Sequence, residues 1–203
     1  MTVVEDRPAG AGMTRADMTR ERRAMIDSQL RVSGVNDPAL LAAFAAVARE
    51  DFVPEPRRAV AYADRQVPLG EGRVLAPALS YGQMLTAAEP HPGDKVLVVG
   101  KPGAYLSALV EALGLPVDTA APGALAGKGP YSLVLVDGAI EEAGQALAAT
   151  LAPYGRLVTG RVERGVVRLA IGRKSGDDLS LANLAEIDLA PLPEFAAPRS
   201  WSF

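Results

Sequence analysis

The chain has 203 residues and a formal net charge of −3, the size of one domain with room for an appendage. Its composition, 49% apolar and 22% charged, is that of a soluble globular protein, and the acidic balance argues against binding nucleic acid or an anionic membrane through charge. Cysteine is absent and histidine occurs once, at His91, which excludes disulfides, thiolate metal sites, a thiol nucleophile and any site built from two imidazoles.

Residues 1–14 combine glycine, proline and charge without periodicity and read as a disordered tail. From Arg15 to Arg31 the apolar residues Met18, Met25, Ile26 and Leu30 fall on a helical face, and Gly34 marks its end. Asp37 and Pro38 then form an N-terminal signal. The aspartate accepts hydrogen bonds from first-turn N–H groups, and proline fits the first helical position. The predicted helix runs from Pro38 to about Val47. It lies within a ten-residue apolar run, Ala39 to Ala48, that is half the length of a bilayer span. With no apolar leader at the N-terminus, a cytoplasmic location is the expectation. Residues 49–77 are broken by four prolines and two glycines and read as loops with short helical or extended pieces.

A third helix is expected over Ser80 to Ala88, and a turn at residues 89–94 leads to Val96-Leu97-Val98-Val99-Gly100. This β-branched run closed by glycine predicts a strand buried on both faces. A helix from about Ala104 to Leu113 and a weak strand over Leu115 to Ala120 follow. Tyr131 to Val136 is a second buried strand, ending at Asp137-Gly138, and a helix is expected from about Glu141 to Leu151. Pro153-Tyr154-Gly155 turns into a strand at Arg156–Thr159, another strand spans Gly165 to Arg173, and the apolar, proline-rich tail ends in Trp201 and Phe203. Strands alternating with helices imply a mainly parallel α/β sheet at 93–203, with 15–92 as an N-terminal helical cap. Between the strands at 115–120 and 131–136 lie ten residues, including three glycines and two prolines. A parallel crossover ordinarily needs a dozen or more residues and a helix, so one βα unit is shortened here.

Ligands of such sheets sit outside the carboxyl ends of the strands, which singles out the turn Gly100-Lys101-Pro102-Gly103-Ala104-Tyr105. Glycine here either lets a cofactor approach the backbone or serves the geometry of a strand-to-helix turn. Asp137 at a strand end either lines the ligand crevice or caps the next helix. Asp118 reads as an edge-strand aspartate, Tyr81 and Tyr105 as core or rim residues, and His91, without a visible partner, as an exposed turn residue.

The order of pieces Met25–Leu30 (MIDSQL), Gly34–Pro38 (GVNDP), Val47–Pro54 (VAREDFVP), Ala61–Asp64 (AYAD) and Pro68–Gly72 (PLGEG), followed by VLVVG, YSLVLVDG and LAPYGRLV, resembles the protein-L-isoaspartate O-methyltransferase family. The resemblance implies a class I methyltransferase-like, Rossmann-like sheet, with S-adenosylmethionine as methyl donor and the α-carboxyl of L-isoaspartyl residues in damaged proteins as acceptor. It assigns Gly100, Gly103, Tyr105 and Asp137 to the cofactor and Gly72, Arg73 and Pro77 to the substrate loop, and it requires no metal. The family's substrate loop looks like Gly-Gln-Thr-Ile-Ser before a proline. Here it reads Gly72-Arg73-Val74-Leu75-Ala76-Pro77 and has no hydroxyl. No catalytic residue is intact, leaving Arg73, which can pair a carboxylate, and Ser80, either a displaced hydroxyl or a helix N-cap. The acidic residue of the cofactor turn is Val98 here, two of its three glycines are Pro102 and Ala104, and the ribose carboxylate falls at Ala121. The alternatives are a non-catalytic family member that binds protein or ligand, or a crevice for another nucleotide or small acid beside Lys101.

Overall fold

The computed structural model describes residues 13–101, 103–176 and 178–198. The expected tail over residues 1–12, Pro102 of the glycine turn, and Trp201 and Phe203 lie outside them. Thr14, assigned to the tail from sequence, instead caps α1 (Arg15–Met25) in a reciprocal capping box with Asp17. The helical path continues as a π-turn over Ile26–Leu30 and a 3-10 turn over Arg31–Ser33, and Gly34 ends it at a φ of 89°. Asp37 caps α2 (Pro38–Ala46) by accepting from the N–H groups of Ala39 (2.8 Å) and Leu40 (3.0 Å). Short 3-10 turns lead to a hairpin of β1 (Val67–Gly70) and β2 (Arg73–Leu75), then to α3 (Ala78–Ala88).

The central sheet holds β3 (Val96–Val99), β4 (Val117–Ala120), β5 (Tyr131–Ile140), β6 (Leu151–Glu163), β7 (Val166–Ser175) and β8 (Asp178–Glu186). Their order is β4-β3-β5-β6-β7-β8. The first four are parallel, and β7 and β8 add as antiparallel neighbours. The α/β architecture expected from the alternating elements is therefore present, with helices α4 (Tyr105–Ala112) and α5 (Gly144–Thr150) linking parallel strands. Alternation sorts the strand side chains. Val96, Val98, Leu133, Leu135 and Val158 pack with the cap helices, α3 and α4, while Leu97, Val99, Val134, Val136 and Leu157 pack on the other face with Leu147 of α5. Cap and sheet share the first of these cores, which joins Leu30 and Phe44 to β3 and β5.

Three sequence expectations are corrected here. β5 does not end at Asp137-Gly138; it shifts register and continues to Ile140, because residues 190–192 pair with Ala139 through N–H···O bonds of 2.8 Å in both directions. The following helix therefore starts at Gly144, without a side-chain cap. Residues 153–155 form a bulge inside β6, with Tyr154 at a φ of 62°, instead of preceding it. β8 was not expected; its Leu179 and Leu181 close over Gly172 and Leu157.

The ten-residue link from β4 to β5 carries no helix, as expected. Leu125 packs into the α5-side core and covers the sheet where a crossover helix would lie. No helix among the described residues is long and apolar enough to cross a membrane.

Candidate functional site

Parallel strands bring β3, β4 and β5 to a common carboxyl edge, and the cap hairpin β1–β2 stands across from it. The space between is a cleft of ≈ 1120 Å³. It is bordered by the turn after β3, by residues 51–54 and 71–75 of the cap, by Ala121 and Pro122 after β4, and by a strap at residues 190–194. The strap is held by the same two bonds that extend β5, and Leu192 lies over Gly138, where a Cβ would meet its Cγ at 2.6 Å.

The turn begins with Gly100, whose N–H donates to the carbonyl of Ala120 at 2.9 Å. A Cβ at Gly100 would lie 3.0 Å from the Cβ of Asp137. Glycine at this position thus lets the turn pack directly against the Asp137 side chain. Asp137 projects from β5 into the cleft, half-buried, and its Oδ1 accepts from the Tyr81 hydroxyl of α3 at 3.0 Å. Burial pushes its pKa up to about 6, against the Tyr81 hydrogen bond and the charge of Arg49, which both favour the ionised form. The Tyr81 hydroxyl is itself raised well above the ordinary tyrosine value by burial and by this carboxylate, so it stays a donor.

Behind the floor lies an aromatic stack. The Tyr105 ring meets Tyr81 edge-on at 5.5 Å and Phe52 at 5.3 Å between centroids. Fully buried Arg49 lies against the Tyr105 ring at 5.1 Å and donates to the carbonyls of Ala61 (2.6 Å) and Ala76 (2.5 Å), clamping the cap segments to the floor. Burial draws its pKa down, with the nearby tyrosines and Asp137 opposing. Arg49 Nη1 and the Tyr105 hydroxyl are buried without a hydrogen-bond partner among the described residues. Nearby, Glu50 accepts hydrogen bonds from Tyr62 and Arg22, which ties α1 to the same cap segment.

Gly100, Gly103, Tyr105, Asp137, Gly72 and Arg73, singled out from the sequence, all border this one cleft, and Lys101 joins them. Arg73 stands on β2 with its guanidinium 2.9 Å from Glu71 across the hairpin turn. Pro77 and Ser80 do not border it. Pro77 is the residue before α3, and both face a smaller depression of ≈ 270 Å³. Ser80 is neither a hydroxyl near the cleft nor a helix cap: α3 begins two residues earlier, and the Ser80 hydroxyl donates to the carbonyl of Asp188 at 2.9 Å. Asp137 is not a helix cap either, since β5 continues past it.

Asp118 lies on edge strand β4, exposed, and accepts from the Tyr131 hydroxyl at 2.8 Å. His91 does have a partner: its Nδ1 is 2.8 Å from Asp94, whose carboxylate also takes Ser132 and Arg156. Sequence reasoning assigned no role to Arg49, Phe52 or the strap. A lone arginine ending a ten-residue apolar run was the available signal for Arg49; the strap left none beyond its prolines.

Residues 20–115 match the family described as Protein-L-isoaspartate(D-aspartate) O-methyltransferase (PCMT), a match that stops just before β4 and the shortened link. A protein-L-isoaspartate O-methyltransferase of Roseiflexus sp. (strain RS-1) is 32% identical over 207 residues, covering 87% of this chain and 93% of that protein. The protein of that name from Aeropyrum pernix is 42% identical over 106 residues, 52% of this chain and 41% of its own. Among solved structures, a Plasmodium falciparum chain described as a protein-L-isoaspartate O-methyltransferase, in complex with S-adenosyl-L-homocysteine, superposes with a TM-score of 0.69 at 14% identity, over 85% of this chain and 98% of that one. A second protein-L-isoaspartate O-methyltransferase superposes with a TM-score of 0.70 at 16% identity, over 86% of this chain and 67% of that one. At these identities the superpositions establish the class I methyltransferase fold. Near full-length identity to the Roseiflexus protein goes further: the chain belongs to the protein-L-isoaspartate O-methyltransferase family.

Proposed function

We propose that the protein binds S-adenosylmethionine in this cleft and methylates the α-carboxyl of L-isoaspartyl residues in damaged cytoplasmic proteins. The observation that carries the proposal is the convergence of Gly100, Gly103, Tyr105 and Asp137 with the hairpin residues Gly72 and Arg73 on one cleft. The buried Tyr105 hydroxyl, without a hydrogen-bond partner among the described residues, fits a ligand seated on the turn. Gly100, Gly103, Tyr105 and Asp137 would hold the donor. When bound, it supplies an electrophilic methyl group on a sulfonium. The acceptor carboxylate is a nucleophile as it stands, so no general base is required of the protein.

The chain's own contribution is alignment and exclusion of water. Phe52, Tyr105 and Leu192 give the cleft apolar walls, and Arg73 offers a guanidinium to a carboxylate arriving past the hairpin. Oxygen–methyl bond formation and sulfur–methyl bond cleavage balance without a proton. The product is a methyl ester and a neutral thioether.

A second reading, binding of an isoaspartyl-type peptide without methyl transfer, is favoured by Val74 and Ala76 in a hydroxyl-free loop and by Ala121, which offers no carboxylate to a ribose. Calorimetric titration with S-adenosylmethionine and S-adenosylhomocysteine, followed by methyl transfer to an isoaspartyl peptide, tests both. Micromolar binding with ester formation is the expected result. Binding of peptide alone, with no donor binding up to about 1 mM (~4 kcal/mol), supports the second reading and overturns the first.

A further inference from the structure

We propose that Asp137 is the group by which this cleft distinguishes a positively charged methyl donor from its neutral product, retaining the sulfonium and releasing the thioether. The inference rests on the reading of the cleft as the donor site and assigns the charge selectivity of that site to one carboxylate. Three observations carry it.

First, Asp137 lines the cleft without a cationic partner. Among the described residues it makes no ion pair, and its hydrogen bond comes from a neutral hydroxyl, that of Tyr81. The nearest buried cation behind it, Arg49, is turned to the carbonyls of Ala61 and Ala76. Asp94 is the contrast within the same chain: it is closed off by Arg156, Ser132 and His91 and is spent on structure. A carboxylate held at a cleft without an ion-pair partner is available to a cation that arrives there.

Second, the geometry of the turn directs a ligand to it. A Cβ built on Gly100 would lie 3.0 Å from Asp137 Cβ and 3.7 Å from its Oδ2, so the turn backbone and the carboxylate are neighbours on one wall of the cleft. A ligand seated on the turn backbone is therefore within reach of the carboxylate.

Third, the remaining cleft is suited to positive charge. Its carboxylates are Asp51, Glu71, Asp137 and Glu194 and its cations Arg73 and Lys101; Arg73 and Glu71 pair with each other, which leaves, among the described residues, three carboxylates to the one cation Lys101. Loss of the methyl group turns the sulfonium into a thioether and removes the charge on which this attraction depends, so the same carboxylate that favours donor binding does nothing to hold the product.

The test measures dissociation constants of S-adenosylmethionine and S-adenosylhomocysteine for the full chain and for Asp137→Asn, at pH 7.5 and pH 5, with circular dichroism to confirm that the variant is folded. The wild type should prefer the charged ligand at pH 7.5. Asp137→Asn should weaken its binding about tenfold or more while moving the neutral ligand less than about twofold. At pH 5 the wild type should lose its preference, because Asp137, raised to about 6 by burial, is then protonated. The groups that face Asp137 in this experiment are Tyr81 from α3, Tyr105 from α4, Arg49 behind the rings and Lys101 on the turn, with Asp51, Glu71, Arg73 and Glu194 on the other walls. An equal loss for both ligands would mean that Asp137 meets the ammonium or nucleoside they share, and it overturns the inference. An unchanged preference in Asp137→Asn also overturns it. Failure of the wild type to bind either ligand overturns the donor-site reading and the inference together, so the two failures are distinguishable.

Discussion

At the scale of single residues, Asp94 and Asp137 show how one side chain takes opposite roles from its surroundings. Burial alone would raise the pKa of Asp94, but the Ser132 hydroxyl, the His91 N–H and the Arg156 guanidinium outweigh it and hold the carboxyl below its ordinary value. Its stabilising contribution is present at neutral pH and is lost as the pH falls through that depressed pKa. Asp137 has the reverse sign. With a folded pKa of about 6 against an ordinary value of 3.8, it contributes stability below about pH 4 that is lost as the pH rises through 6. Replacing it by asparagine, which can still accept from Tyr81, should therefore stabilise the protein at pH 7.5 by on the order of 1–3 kcal/mol and change little at pH 3.5. Thermal melts of both proteins across that range measure this directly. A variant less stable than wild type at pH 7.5 would show that the carboxylate is compensated.

Among elements, the β1–β2 hairpin governs the mouth of the cleft. Glu71 and Gly72 form its tip with φ values of 53° and 71°, the left-handed pair that a two-residue turn requires. That turn places Glu71 and Arg73 side by side at 2.9 Å. The pair is partly exposed, and such bridges contribute little to stability. Arg73→Ala is expected to raise KM for an isoaspartyl peptide about tenfold to a hundredfold, leaving the donor's Kd unchanged. Glu71→Gln frees the guanidinium and should move KM the other way. If steady-state kinetics show both substitutions moving kcat alone, the hairpin is not the acceptor's contact.

For the whole molecule, the notable feature is the asymmetry of its layers. One face of the sheet lies under the cap, α3 and α4; the other has α5, the β4–β5 link and Phe195. The link spans β3 in ten residues and contributes Leu125, 4% exposed, to the core that contains Leu97, Val99 and Val136. A loop side chain thus does the work of a crossover helix. Leu125→Ala is expected to cost about 2–4 kcal/mol, a core-sized loss from a loop position. Urea denaturation checks it, and a loss under about 0.5 kcal/mol would mean that other groups cover this face.

Much of this architecture is determined by local sequence. Val96–Val99 and Tyr131–Val136 are β-branched, apolar runs that can only be satisfied between two layers, and Asp37-Pro38 caps a helix with atoms within three residues of each other. The glycine turn marked one wall of the cleft, and ten residues rich in glycine and proline already excluded a crossover helix.

The site's polar contacts were decided only by the tertiary structure. Tyr81 reaches Asp137 across 56 positions, and Arg49 finds its carbonyls 12 and 27 positions away. β5 runs past Asp137 because a strap from residues 190–192 pairs with it, and Ser80 turns to Asp188 for the same kind of distant reason. The physical difference is one of direction. Burial is encoded in the periodicity of a few neighbouring residues, whereas a hydrogen bond needs a particular atom at a particular angle, and here that atom comes from a distant part of the chain.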